Sequence, residues 1–161
     1  MPDASHLWWS VRPSLKYPTL ELRAPDCCTR LDDSIAIAAL YRVLARFLYR
    51  HPEHNAALDV VDRAIAVENK WRAQRYGAQG TFVTRSGAVG VADMLDRVLG
   101  LVAGDARELG CAEHVQQCRS ILVEGTSADA QLRIFTENQH EDAEIALQKV
   151  TRWIRDATLV A

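Results

Sequence analysis

Nothing in the 161-residue sequence approaches the roughly 20 consecutive apolar residues that cross a bilayer; runs such as 35–40 are short and bounded by charge. Neither sign of charge predominates: 19 Lys+Arg stand against 21 Asp+Glu, a formal net charge of -2. The chain therefore has no broad cationic field to hold nucleic acid or anionic lipid, and neither is expected as a partner. Met1-Pro2-Asp3 opens no basic region followed by an apolar one, so a secretory leader is not expected and a reducing cytoplasm is the expected setting. Cysteine is scarce and poorly spaced for crosslinks, with Cys27 and Cys28 adjacent and Cys111 and Cys118 seven apart, so all four read as thiols. Cys111, His114 and Cys118 do fall on one helical face. Structural zinc usually takes four ligands from separated elements, however, and core thiols are the plainer reading. No phosphate-binding Walker loop, dinucleotide fingerprint, nucleophile elbow or HExxH pair occurs. His51, His54 and His140 sit in polar junctions, where a solvated imidazole is the ordinary outcome.

What is present is an ordinary globular composition, 48% hydrophobic and 25% charged, enough for one core. The first thirty residues differ from the rest. Segments 6–11 and 18–24 are rich in Trp, Val, Leu and Thr and flank a Pro-Ser-Leu-Lys-Tyr connection, which predicts two strands. On the second, Thr19, Glu21 and Arg23 share one face and Leu20 and Leu22 the other. From Asp32 the period becomes helical. Asp32 or Asp33 can cap a helix whose apolar positions include Ile35, Val43, Leu44 and Phe47, ended by His51-Pro52. A second helix is predicted over 55–76, stopped by Gly77. Segments 81–83 and 88–91 form a short hairpin or a loop. Four more helices are predicted over 92–109, 113–124, 128–138 and 142–157, with Thr126 to Asp129 a helix-start signal. The fold class expected is α+β: two or more antiparallel strands packed on a mainly helical bundle, residues 1–30 supplying strands and 31–161 the helical part of one segment. Two strands with one apolar face are marginal alone, so either the chain folds as a helical domain with a small sheet covered by its helices, or its strands complete a sheet made by another segment or another subunit.

The densest chemical constellation is Val11-Arg12-Pro13-Ser14 followed by Pro18 to Asp26, where Glu21 lies among Arg12 and Arg23. A carboxylate on a sheet face offers a hard oxygen ligand for Mg²⁺, and nearby guanidinium groups bind phosphate and stabilise charge developing in its transfer. The commoner use of such residues is a structural Glu–Arg pair on a sheet surface.

Several motifs in order carry a resemblance. Residues 9–14, 18–23, 28–33, 68–77 and 125–129 (Trp9-Ser10-Val11-Arg12-Pro13-Ser14, Pro18-Thr19-Leu20-Glu21-Leu22-Arg23, Cys28-Thr29-Arg30-Leu31-Asp32-Asp33, Glu68-Asn69-Lys70-Trp71-Arg72-Ala73-Gln74-Arg75-Tyr76-Gly77, Gly125-Thr126-Ser127-Ala128-Asp129) resemble the bacterial carboxylate–amine ligases of the second glutamate–cysteine ligase type, in the glutamine synthetase superfamily. The resemblance spans about 7–155 and implies that the strands belong to a glutamine synthetase-like sheet. It implies ATP- and Mg²⁺-dependent joining of a carboxylate, typically the side chain of glutamate, to an amine through an acyl phosphate. By motif position Glu21 would be a metal ligand, Arg23 would contact the transferring phosphate or the substrate carboxylate, and Arg12 would face the nucleotide phosphates. Arg72 and Arg75 would be site residues or helix-surface cations, and Trp71 a core anchor.

Members of that family are more than twice this length and carry most metal-holding carboxylates and histidines upstream, so the resemblance implies a C-terminal portion that is not a competent ligase alone. The relatives often carry Asp where this chain has Ser10. One carboxylate and a few arginines cannot hold metals, nucleotide and substrate together. Expected partners are ATP and an amino-acid substrate for the complete enzyme, and a second copy of this chain or a complementing N-terminal half. The alternative from another class is a noncatalytic helical module whose exposed strands drive self-association or pairing.

Overall fold

In a computed structural model, which describes residues 9–140 and 142–159, the chain is α+β, as expected. Strands β1 (Val11–Pro13) and β2 (Leu20–Leu22) form an antiparallel hairpin. Helix α1 (Leu31–Arg50), a short 3₁₀ turn (Pro52–His54) and α2 (Val60–Tyr76) follow, and then a second hairpin of β3 (Thr81–Thr84) and β4 (Gly87–Gly90). Helices α3 (Val91–Glu108), α4 (Ala112–Gln116), α5 (Cys118–Glu124), α6 (Ser127–Asn138) and α7 (Ala143–Leu159) complete the order.

The core sits where α1, α3 and α4 meet. Val43 and Phe47 come from α1, Leu99, Val102 and Ala106 from α3, Cys111 from the connection and Val115 from α4. Positions 99, 102 and 106 recur at three and four, which turns one stripe of α3 inward. Charge closes the rim of this core. Buried Asp105 accepts from Arg46 Nε and Arg50 Nη1, both at 2.8 Å, and Glu108 lies against the same two guanidinium groups. Burial pushes the Asp105 carboxyl up, but these arginines outweigh it and hold it below its ordinary value.

Helix starts and stops follow local chemistry. α2 begins at a capping box in which Asp59 accepts from Val61 N and Asp62 N, and the Asp62 side chain reaches back to Asp59 N at 3.0 Å. The sequence placed this start four or five residues too early, because Leu58 continues the apolar spacing before the cap. α1 begins one residue before the expected acids, after an extended Arg30 with no side-chain cap. Its acids serve instead in the first turn, where Asp33 accepts from Arg30 Nε at 2.9 Å. The helix expected over 113–124 is divided at Gln117 into α4 and α5. Gly110, at φ 65, makes the sharp turn that ends α3 and returns the chain to the core at Cys111.

The segment at 81–90 is a hairpin, not a loop: Thr84 opposes Gly87 across the two-residue turn Arg85-Ser86. The Asn69 side-chain amide fastens it to α2, donating to Val83 O at 2.9 Å and accepting from Val83 N at 2.7 Å. Arg85 reaches back to Asp59 and Asp62 at the start of α2, at 2.6 and 2.8 Å. That guanidinium holds the Asp62 carboxyl far below the usual carboxylate range. Helices α6 and α7 pack chiefly on each other. Among the described residues no helix is long and apolar enough to cross a membrane.

Candidate functional site

The β1–β2 hairpin carries the residues singled out in the sequence. Its strands are shorter than expected, the first beginning at Val11; residues 6–8 of the expected strand lie outside the described residues. The register sets Arg12 opposite Glu21, so the two side chains leave the same face, and Arg12 Nε donates to Glu21 Oε2 at 2.7 Å. The Arg12 side chain is 14% exposed and the Glu21 side chain 38%, so this pair lies at the edge of solvent. One rung on, Arg23 N donates to Ser10 O at 2.7 Å, which sets position 23 on the same side as Glu21. The structure thus gathers Arg12, Glu21 and Arg23 along one face, as the spacing implied.

The connection between the strands folds over this pair and leaves an open concavity of about 310 Å³, lined by Arg12, Ser14, Lys16, Tyr17 and Glu21 among others. Lys16 and Tyr17 were not identified from the sequence, where they read as linker. Only the turn geometry, with Ser14 N donating to Thr19 O at 2.9 Å, brings them beside the ion pair. The volume is at the low end for small-molecule sites.

The opposite face of the hairpin is left uncovered by this chain, one of the two outcomes expected: Leu20 is 55% exposed, Trp9 is 59% exposed, and Leu22 is only half-buried. The hairpin's side-chain tie to α2 is Lys70 Nζ donating to Ser10 Oγ at 3.1 Å. Arg72 acts as a brace within that region, donating to Glu68 at 2.7 Å and to Thr81 Oγ1 at 3.3 Å. Arg75 lies over the Tyr76 ring, 5.7 Å from its centroid. Trp71 is not a core anchor, being half-exposed and edge-on to Tyr76.

Two distant motifs meet at a second place. Ser127 Oγ donates to Thr29 Oγ1 at 2.7 Å and accepts from Thr29 N, while Arg30 contacts Asp33, Glu124 and Gly125 O. This junction ties the start of α1 to the start of α6. The thiols are free, and burial raises the pKa of Cys28 and of Cys118, the latter pointing its Sγ at Ala36 O. Such thiols make poor nucleophiles. Cys111 and Cys118 are buried while His114 is exposed, and among the described residues no group of three or more His, Cys, Asp or Glu could hold a metal ion.

Fold and site together define a mainly helical α+β portion bearing a charged sheet hairpin. The model of the glutamate–cysteine ligase family 2 matches residues 1–149, and the chain belongs to that family. It is 50% identical over 159 residues to a Bradyrhizobium diazoefficiens protein and 54% identical over 159 residues to one from Bradyrhizobium sp. strain ORS 278. A Rhodospirillum rubrum protein is 47% identical over 137 residues. All three are provisionally named glutamate–cysteine ligase 2. The first two matches take in 99% of this chain and the third 84%, but only 36%, 38% and 35% of the respective relatives. The chain therefore spans little more than a third of the length of these curated relatives.

Proposed function

We propose that this chain is the C-terminal portion of an ATP-dependent carboxylate–amine ligase of the glutamate–cysteine type, and that it acts only when the rest of the enzyme is supplied. The supporting observation is the Arg12–Glu21 pair at 2.7 Å beside a concavity that also presents Lys16. In the reaction the substrate carboxylate is phosphorylated by ATP to an acyl phosphate, and the amine displaces phosphate to form the amide. Arg12, Arg23 and Lys16 carry fixed positive charge suited to the phosphate being transferred or to a substrate carboxylate.

Mg²⁺ does not fit the donors of this chain alone. Glu21 offers one carboxylate, already engaged by a guanidinium, whereas Mg²⁺ takes six oxygen ligands, some of them water. Glu21 is at most one ligand of a set completed from elsewhere. The reading includes a cytoplasmic setting, which the demand for ATP supports.

The test is phosphate release on mixing glutamate, cysteine, Mg²⁺ and ATP with this chain co-expressed with the remainder of a full-length relative. Release is expected from the pair and not from this chain alone, and Glu21→Gln should lower it by roughly 100-fold. Undiminished release by the Glu21→Gln pair would overturn the assignment. A second reading, a noncatalytic interaction module, is favoured by the exposure of Trp9, Leu20 and much of α2. It predicts partner binding with no phosphate release.

A further inference from the structure

The bonded rungs of the first hairpin order its charges along one face. Ser14 N donates to Thr19 O and Arg23 N to Ser10 O, so the rungs are 10 with 23, 12 with 21 and 14 with 19. Successive rungs are two residues apart, about 7 Å along the strands. The residues between them, Val11 and Pro13 on β1 and Leu20 and Leu22 on β2, turn their main-chain groups to the outer edges, and proline has no N–H to offer there. Arg23 marks one end of the face, the Arg12–Glu21 pair its middle, and the turn that carries Lys16 and Tyr17 its other end. That turn is tight, with Thr19 N donating to Tyr17 O at 2.7 Å.

The concavity spans the middle and the turn end. Arg12, Glu21 and Lys16 line it, Leu15 and Tyr17 give it an apolar wall, and Arg23 lies outside it. Its charges are not equivalent. Arg12 and Glu21 are engaged with each other at 2.7 Å, whereas the Lys16 ammonium has neither an ion pair nor a hydrogen bond among the described residues. A paired carboxylate beside an uncompensated cation leaves the concavity net positive, ready for an anion that arrives from outside.

The ligase reaction brings two kinds of anion to this face: the group in transfer and the carboxylate that does not react. Charge developing in transfer is best met by donors held rigidly, as Arg12 is on its strand. Lys16 is an exposed turn residue, a point charge on a flexible four-carbon stem, which suits capture of a group that takes no part in the chemistry. The reach agrees. A glutamate whose reacting carboxylate sits level with Arg12 and Glu21 carries its other carboxylate four carbon–carbon bonds away, about 5 Å, which is within one rung of the turn. Its methylenes would then run along Leu15 and Tyr17.

We propose that Lys16 selects a dicarboxylic substrate by holding the carboxylate that does not react. The inference rests on the ligase reading of this site. The experiment co-expresses this chain with the remainder of the Rhodospirillum rubrum relative and measures phosphate release while glutamate, cysteine and ATP are varied in turn. Lys16→Met removes the charge and keeps most of the stem, and at an exposed turn position it leaves the fold intact. The KM for glutamate should rise roughly tenfold. Neither kcat nor the KM values for ATP and cysteine should change more than about twofold, and Lys16→Arg should restore most of the loss. Titration calorimetry on the same complexes compares glutamate with 4-aminobutyrate, which is glutamate without the second carboxylate. Binding of 4-aminobutyrate should be indifferent to Lys16→Met, because the group that Lys16 holds is absent.

An equal loss with both amino acids would make Lys16 a structural residue only. A raised KM for ATP or cysteine in place of glutamate would assign it another anion. Either result overturns the inference, as does an unchanged KM for glutamate. Glutamate binding that Lys16→Met weakens, without phosphate release from any complex, would remove the ligase assignment and leave Lys16 in its role. Release indifferent to Lys16→Met would do the reverse, and absence of both binding and release would overturn both.

Discussion

The α1–α3–α4 core and the β1–β2 hairpin answer to different partners. In the core, Val43, Leu99, Val102 and Val115 are almost wholly removed from water, and Asp105 is matched by two arginines from the same chain. In the hairpin the apolar residues are half-exposed, the strands are three residues long, and the Arg12–Glu21 pair lies at the solvent's edge. One region is finished by its own sequence. The other holds the candidate chemistry and leaves its apolar face open.

The sharpest way to break this contrast is at Leu99, which is 2% exposed in the middle of the core. Leu99→Ala should cost about 3 kcal/mol in denaturant unfolding, from lost transfer energy and the cavity left behind. A smaller loss is expected from Asp105→Asn, since both guanidinium groups can regain water. Its signature lies in pH. The folded carboxyl is held below its ordinary 3.8, so its contribution is complete above that value and is lost as pH falls through the lower folded value. Thermal unfolding of the Asp105→Asn chain should therefore flatten with acid where the natural chain's falls. Asn69→Ala removes both bonds to Val83 and should cost about 1 to 2 kcal/mol, with exchange rising first in the β3–β4 hairpin. At the first hairpin, Glu21→Gln should change stability by less than about 1 kcal/mol, because an exposed ion pair contributes little. Leu132→Ala, at a position 65% exposed, should stay within about 0.5 kcal/mol by the same unfolding measurement. A large stability loss from Glu21→Gln would mean that the hairpin belongs to the closed core after all.

Much of this was legible in the residues. Period and caps located the long helices, since Thr126 to Asp129, Gly77 and Gly110 mark ends through local geometry alone, but not the break at Gln117 that divides α4 from α5. That Glu21 lies among basic residues on adjacent strands was legible, but its register opposite Arg12 was not. What was hidden were long-range partnerships: Thr29 with Ser127, Ser10 with Lys70, Asn69 with Val83. No period or spacing encodes these, because they depend on how helices pack. The exposure of Leu20 was left open, since alternation tells which face is apolar but not whether this chain supplies the cover.

Pro13 has a last consequence. A hairpin open on both sides could stack copy upon copy into a growing ribbon, but a sheet sealed on one flank can only be extended once before it presents a dead end. A second copy added along the Leu20–Leu22 edge would present the same proline flank on its far side, so growth by strand addition ends there.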